Sequence, residues 1–128
     1  MSKRIRVAIK GIEELQAQVN DENPQTAQAV LNSLPIKGKV NTWGDEIYFS
    51  TSLNLNEEKP RAEVEVGCVA YWPPGRAICI FFGKTPASKH TEPRAASPVN
   101  VFAKILGDLS PLRRVRDNDE IILEKYLE

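Results

Sequence analysis

Gly67-Cys68-Val69-Ala70-Tyr71-Trp72-Pro73-Pro74-Gly75-Arg76-Ala77-Ile78-Cys79-Ile80-Phe81-Phe82-Gly83 places two apolar runs on either side of a proline-glycine turn. Aromatic and β-branched residues bounded by Gly and Pro read as strands, and a turn over Pro73 to Arg76 makes them a hairpin. Proline at the second turn position and glycine at the third predict a type II turn. In that register Trp72 faces Ala77 and Ala70 faces Cys79, which leaves Cys68 diagonal to Cys79. Neither Cys68 to Tyr71 nor Ala77 to Phe82 has a polar interruption. Both faces of these strands are therefore expected to be buried, as in a barrel wall that also carries a helix or loop outside it.

Working outward, alternation with period two dominates. Ile5, Val7 and Ile9 alternate with Arg4, Arg6 and Lys10, and Leu15, Ala17 and Val19 alternate with Glu14, Gln16 and Gln18. These predict a hairpin turned at Gly11, with one wet face. Ala62, Val64 and Val66 against Glu63 and Glu65 predict another half-exposed strand, and Ile121 and Leu123 a further one. One helix has clear punctuation: Asn23 as cap, Pro24 in the first turn, Ala27, Val30, Leu31 and Leu34 on one face, and Pro35 as the stop. It is expected to plug one end of the barrel. A shorter helix is expected over Asp108 to Val115, with Pro111 in its first turn. Leu53 to Arg61 and Lys84 to Ser97 read as polar loops.

The 128 residues suit a single domain over 1–128 that buries roughly 65 to 70% of its unfolded surface without metal or disulfides. Seventeen basic and seventeen acidic residues cancel. No long-range field then draws the protein to nucleic acid or anionic lipid. The longest apolar run, Ala77 to Phe82, is far short of the roughly 20 residues that span a bilayer. The start, Met1-Ser2-Lys3-Arg4, leads into strand-like alternation instead of a signal core, so a cytoplasmic protein is expected.

Several apparent motifs fail on their chemistry. Gly83-Lys84-Thr85 ends like a phosphate-binding loop, but Ile78 stands where that loop needs its first glycine and Pro86 where its helix should run. His90 is the only histidine, and two cysteines on buried strands do not complete a zinc site; no metal and no cofactor is expected. A Ser-His-Asp triad would lack a nucleophile elbow. Asp117, Asp119 and Glu120 have calcium-like spacing without the twelve-residue loop and its glycine, so they read as a turn before the last strand. Cys68 and Cys79, diagonal at roughly 7 to 8 Å, are expected to be reduced, buried thiols.

The aromatic residues cluster at turns. Trp43 sits in a glycine turn directly before the aromatic strand of Val40-Asn41-Thr42-Trp43-Gly44-Asp45-Glu46-Ile47-Tyr48-Phe49-Ser50, and Tyr71-Trp72 precede the proline turn. Two readings stand: core aromatics closing a small barrel, or the lining of a ligand pocket.

Val40 to Ser50, Tyr71-Trp72-Pro73-Pro74-Gly75 leading to Phe81-Phe82-Gly83-Lys84-Thr85-Pro86, and Ala96-Ser97-Pro98-Val99-Asn100-Val101 resemble a prokaryotic family of small cyclophilin-like proteins. Asn100 to Leu109 is similar to the strand and following helix of cyclophilins themselves. The resemblance implies a mainly β fold: a closed eight-stranded antiparallel barrel with one or two short α-helices capping its ends. It does not extend to the catalytic signature. Cyclophilin-type prolyl isomerases use an arginine with a phenylalanine and a glutamine downstream, whereas the corresponding strand here, Val40 to Ser50, has neither arginine nor glutamine. Phe81 or Phe82 matches the family's apolar proline pocket.

The resulting expectation is a binding module whose cleft, lined by Trp43, Tyr48, Tyr71, Trp72 and Phe82, accepts a proline-containing peptide or a small apolar molecule. A competing reading is prolyl isomerisation, with Arg76 reaching in from the hairpin turn as a substitute cation to weaken the amide's double-bond character. A third makes the barrel a homo-oligomer or complex subunit whose exposed aromatics are covered by a copy of itself.

Overall fold

The computed structural model describes residues 3–126. The first alternating segments form a hairpin, β1 (Arg4–Ile9) and β2 (Leu15–Val19), with Val7 opposite Leu15. Ile5, Val7, Ile9, Leu15 and Ala17 are buried while the intervening Arg, Gln and Glu residues reach water. Gly11 makes the connection at φ 92°, a left-handed conformation open to glycine at no steric cost.

Helix α1 (Pro24–Ser33) forms where the proline punctuation places it and packs Ala27 and Val30, with Leu31 and Leu34 at the margin, against the core. Its cap differs from expectation. Asn23 makes no side-chain cap; it is fully buried, donating from Nδ2 to Val101 O at 2.8 Å and accepting from Lys59 N at 2.6 Å. The free N–H groups of the first turn, on Gln25 and Thr26, instead donate to the carboxylate of Glu58 at 3.1 and 3.0 Å. A distant acid thus does the work of a local cap, and favours the helix's positive end besides. Burial pushes the Glu58 pKa up, but the bonds from Thr26 and Gln25 outweigh it and hold the carboxyl below its ordinary range. Glu58→Ala should cost about 1 kcal/mol in chemical denaturation at neutral pH, the usual worth of a lost cap.

The remaining strands are β3 (Ile36–Lys39), β4 (Asn41–Thr42), β5 (Glu46–Ser50), β6 (Arg61–Glu63), β7 (Cys68–Trp72), β8 (Ala77–Phe81), β9 (Arg94–Ile105) and β10 (Glu120–Lys125). All pair antiparallel in the order β3-β10-β1-β2-β9-β7-β8-β5-β4, and β6 pairs with β9 off this path. The mainly β, antiparallel architecture is as expected; the closed eight-stranded barrel is not. Among the described residues ten strands form an open sheet whose two ends, β3 and β4, are separated along the chain by Val40 alone. Side-chain packing fills the seam: a Cβ on Gly38 of β3 would stand 2.8 Å from the Phe49 ring of β5.

The miscount has identifiable causes. β4 and β6 have two and three residues, too few for a period to show. β9 begins at Arg94, inside the segment read as a polar loop, and runs through Pro98 because its register with β6 is irregular there, so no regular ladder donor is needed. Val64 is buried but Val66 is 43% exposed, since the chain turns at Gly67 (φ 95°) and breaks the alternation. Asp108 to Val115 yields a short 3-10 helix at Ser110–Arg114 instead of an α-helix. The 73–76 turn is not type II either. Pro73–Gly75 make one 3-10 turn, and Arg76, not Gly75, takes the left-handed φ of 48°. Gly75 is required for another reason: a Cβ there would overlap the Trp72 ring at 2.5 Å.

The hairpin register is the expected one, Trp72 opposite Ala77 and Ala70 opposite Cys79. Both faces of these strands are buried. Val69, Tyr71, Ile78 and Ile80 enter the main core with Ile47, Phe49 and Phe102. Cys68, Ala70, Cys79 and Phe81 point the other way, into a second apolar cluster with Val64, Ala95, Val99 and Val101. The second cluster is covered by β6 and the first half of β9, which fold over the outer face of the sheet. Among the described residues no helix is long and apolar enough to cross a membrane.

Cys68 and Cys79 are free and buried in that second cluster. Burial raises the Cys68 pKa to about 11 and lifts Cys79 well above its ordinary value. Because the thiolate is the reactive form, native protein should label with a thiol reagent at least tenfold more slowly than the same protein in denaturant. Equal rates would contradict this burial.

Candidate functional site

Strand alternation decides which aromatic residues can meet. On β5, Ile47 and Phe49 face the main core, so Glu46 and Tyr48 face the outer side. On β7, Tyr71 faces the core and its neighbour Trp72 the outer side. Trp43 arrives from the turn before β5. Together with Cys79 of β8, these side chains line a cavity of about 200 Å³. Ala95, Ala96 and Val99 of β9 form its other wall. It therefore lies on the outside of the sheet, beneath β9, and not in a barrel mouth.

Two locks hold the tryptophans. Trp72 Nε1 donates to Ser97 Oγ at 2.7 Å, tying the indole to β9, and the close approach of Gly75 fits its ring beneath the hairpin tip. Trp43 sits in a two-residue hairpin turn: its N–H donates to Glu46 O at 2.9 Å and its carbonyl accepts from Glu46 N at 3.2 Å. Gly44 holds φ 60° at the first central position, as a type II′ turn requires. The turn is pinned further where Asp45 N donates to Lys84 O and Phe82 N donates to Asp45 O, both at 2.8 Å. Outside it, Arg113 pairs with the Asp45 carboxylate at 3.1 Å and lies 5.5 Å over the Phe82 ring.

Of the five aromatic residues expected to share a cleft, Trp43, Tyr48 and Trp72 do, and Tyr71 and Phe82 do not. Tyr71 is wholly buried, its hydroxyl donating to Leu53 O at 3.0 Å and accepting from Leu55 N at 3.2 Å. It anchors the 51–60 loop to the core. Phe82 packs into the main core under Arg113. Arg76 stands exposed at the hairpin tip, away from the cavity lining, where its carbonyl accepts from Thr51.

Sequence reasoning missed the one acid in the cavity. Glu46 is only 5% exposed, and its Oε1 has no hydrogen-bond partner among the described residues. Burial raises its pKa to about 7, with a weaker opposing effect from the Cys79 thiol beside it. An uncompensated buried carboxyl is costly, and such groups concentrate at functional sites. The local sequence carried no such signal: only the pairing of β5 with β8, whose outer face is covered, brings Glu46 under that cover.

The cavity thus offers two indoles, a phenol and an ionisable carboxyl in apolar surroundings, an arrangement suited to enclosing a small molecule around one polar contact. Comparison with known proteins agrees with the fold. The family model described as Cyclophilin-like matches residues 3–124. The solution structure of a hypothetical protein from Archaeoglobus fulgidus superposes with a TM-score of 0.83 at 41% identity, covering 98% of this chain and 95% of that one. No curated protein matches.

Proposed function

The chain belongs to the cyclophilin-like family, and from that premise we propose that it is a binding module holding a small ligand, or a side chain of a proline-containing peptide, between Trp43, Tyr48 and Trp72. The observation that carries this reading is the aromatic pocket with a buried acid in its wall. Ligand sites are concave, mostly apolar and lined by aromatic side chains around a few polar groups. Here two separately anchored tryptophans border about 200 Å³ of open space with an unpartnered acid in its wall.

Binding should alter tryptophan emission. Trp43→Ala should weaken a ligand by more than about 1 kcal/mol while leaving the far-ultraviolet dichroism unchanged. Failure of every apolar and proline-containing probe to shift the emission would count against the module. The isomerase alternative draws no support from the lining, which among the described residues holds no arginine. A protease-coupled assay on a proline tetrapeptide should show no more than marginal acceleration; strong activity abolished by Arg76→Ala would favour the enzyme instead.

A further inference from the structure

We propose that the cavity's ligand is a protonated alkylamine, its ammonium donating to Glu46 Oε1 while its alkyl groups lie between the indoles and the β9 wall. This rests on reading the cavity as a binding site and names the chemistry it selects. Three observations converge. Glu46 Oε1 is a buried acceptor that no donor among the described residues reaches. Among the described residues no lysine, arginine or histidine lines the cavity, so none of them sets a counter-charge beside the carboxylate there. And the rings around it are two tryptophans and a tyrosine, whose faces attract cations, tryptophan most strongly.

An ammonium answers all three at once: its charge neutralises the carboxylate, its N–H satisfies Oε1, and its carbon-bound shell suits the aromatic faces. The unfilled acceptor asks for an N–H, which favours primary to tertiary amines over quaternary ones. A neutral apolar molecule would leave the acid unpaired. A neutral acyl group could accept from a protonated Glu46, and that is the arrangement the experiment must separate.

The groups facing Glu46 can be named element by element. Tyr48 shares its strand and Cys79 comes from β8, while the lining residues from β7 and β9 (Trp72, Ala95, Ala96, Val99) carry no ionisable group. An amine that stays protonated near neutrality must displace the proton from Glu46, so its affinity should rise with pH and level off once Glu46 is ionised in the free protein. An acyl ligand would show the reverse.

The test is a fluorescence or calorimetric titration of the intact protein with butylamine, N,N-dimethylbutylamine and benzylamine, beside 1-butanol and benzyl alcohol as neutral counterparts and N-acetylproline amide as the acyl probe, at pH 5.5 and 8. At pH 8 the amines should bind at least tenfold more tightly than the alcohols and lose most of that margin at pH 5.5. Glu46→Gln should remove the margin without weakening the alcohols, and Trp43→Phe, which keeps a ring but a poorer cation face, should reduce it severalfold. If alcohols bind as well as amines and Glu46→Gln changes nothing, the cation inference falls while the binding site stands. Tighter binding of N-acetylproline amide at pH 5.5 than at pH 8 overturns it in favour of the acyl ligand. Absence of binding by every probe removes the binding-module reading as well.

Discussion

Glu46→Gln should stabilise the protein by about 3 kcal/mol at pH 8 and leave it nearly unchanged at pH 4. The carboxyl titrates near 4.5 in an unfolded chain and near 7 in the fold, because burial disfavours its charged form. Below about pH 4.5 it is protonated in both states and contributes no difference. Between the two values the unfolded chain ionises while the folded protein stays protonated, so the native state loses stability as pH rises. Above about 7 both are ionised and the full cost remains: roughly 1.36 kcal/mol for each unit across a gap of about two and a half units. Glutamine has the same shape and no charge. Urea denaturation of both proteins at the two pH values tests this directly, since other titrating groups cancel in the difference. A gain at pH 8 no larger than at pH 4 would show that Glu46 is better solvated than its burial implies. A bound amine would supply the missing counter-charge and restore the lost stability by mass action.

Gly44→Ala is expected to be as damaging as Glu46→Gln is helpful. At φ 60° a side chain costs about 1 to 2 kcal/mol. The new Cβ would also stand 2.9 Å from the carbonyl oxygen of Lys84 and from Pro86 Cδ, and that oxygen already accepts from Asp45 N. A forced shift of backbone adds about 1 to 3 kcal/mol, for a total of about 3 kcal/mol. Gly11→Ala separates the two causes, because Gly11 also has positive φ but nothing lies within 4 Å of its Cβ direction. It should cost only the backbone strain, about 1 to 2 kcal/mol. Since the Gly44 turn aims Trp43 into the cavity, Gly44→Ala should also abolish the ligand-induced change in tryptophan emission. Equal losses from the two substitutions would mean that the contact with the 84–86 segment relaxes freely.

Elements with a sustained local pattern were legible in the sequence. The β1-β2 hairpin, the helix between Pro24 and Ser33, the β7-β8 register and the two-sided burial of Cys68 to Phe82 all follow from period, punctuation and turn length. Elements held by partners were not. β4 and β6 exist as strands because β5 and β9 supply hydrogen bonds to short polar segments, and β9 runs into a stretch whose proline and small residues look like loop. Asn23 has a cap's composition, yet the buried contact with Val101 outcompetes capping once Glu58 is delivered to the helix start.

The site divides along the same line. That Trp43 and Trp72 lie beside turns is written in the glycines and prolines next to them. That Tyr71 cannot join Trp72 is also implicit, since neighbours on a strand point to opposite faces. Which side chains share a face of each strand is thus readable locally, because it depends only on residues one or two positions away. The tertiary structure alone decided what covers each face. The first half of β9 returns from far along the chain to bring Ala95, Ala96 and Val99 against the outer-face side chains of β5, β7 and β8, and that return walls the pocket and turns Glu46 from an ordinary surface acid into a buried, unpartnered one. Desolvation is set by everything within a few ångströms in space, and no local pattern in the chain records it.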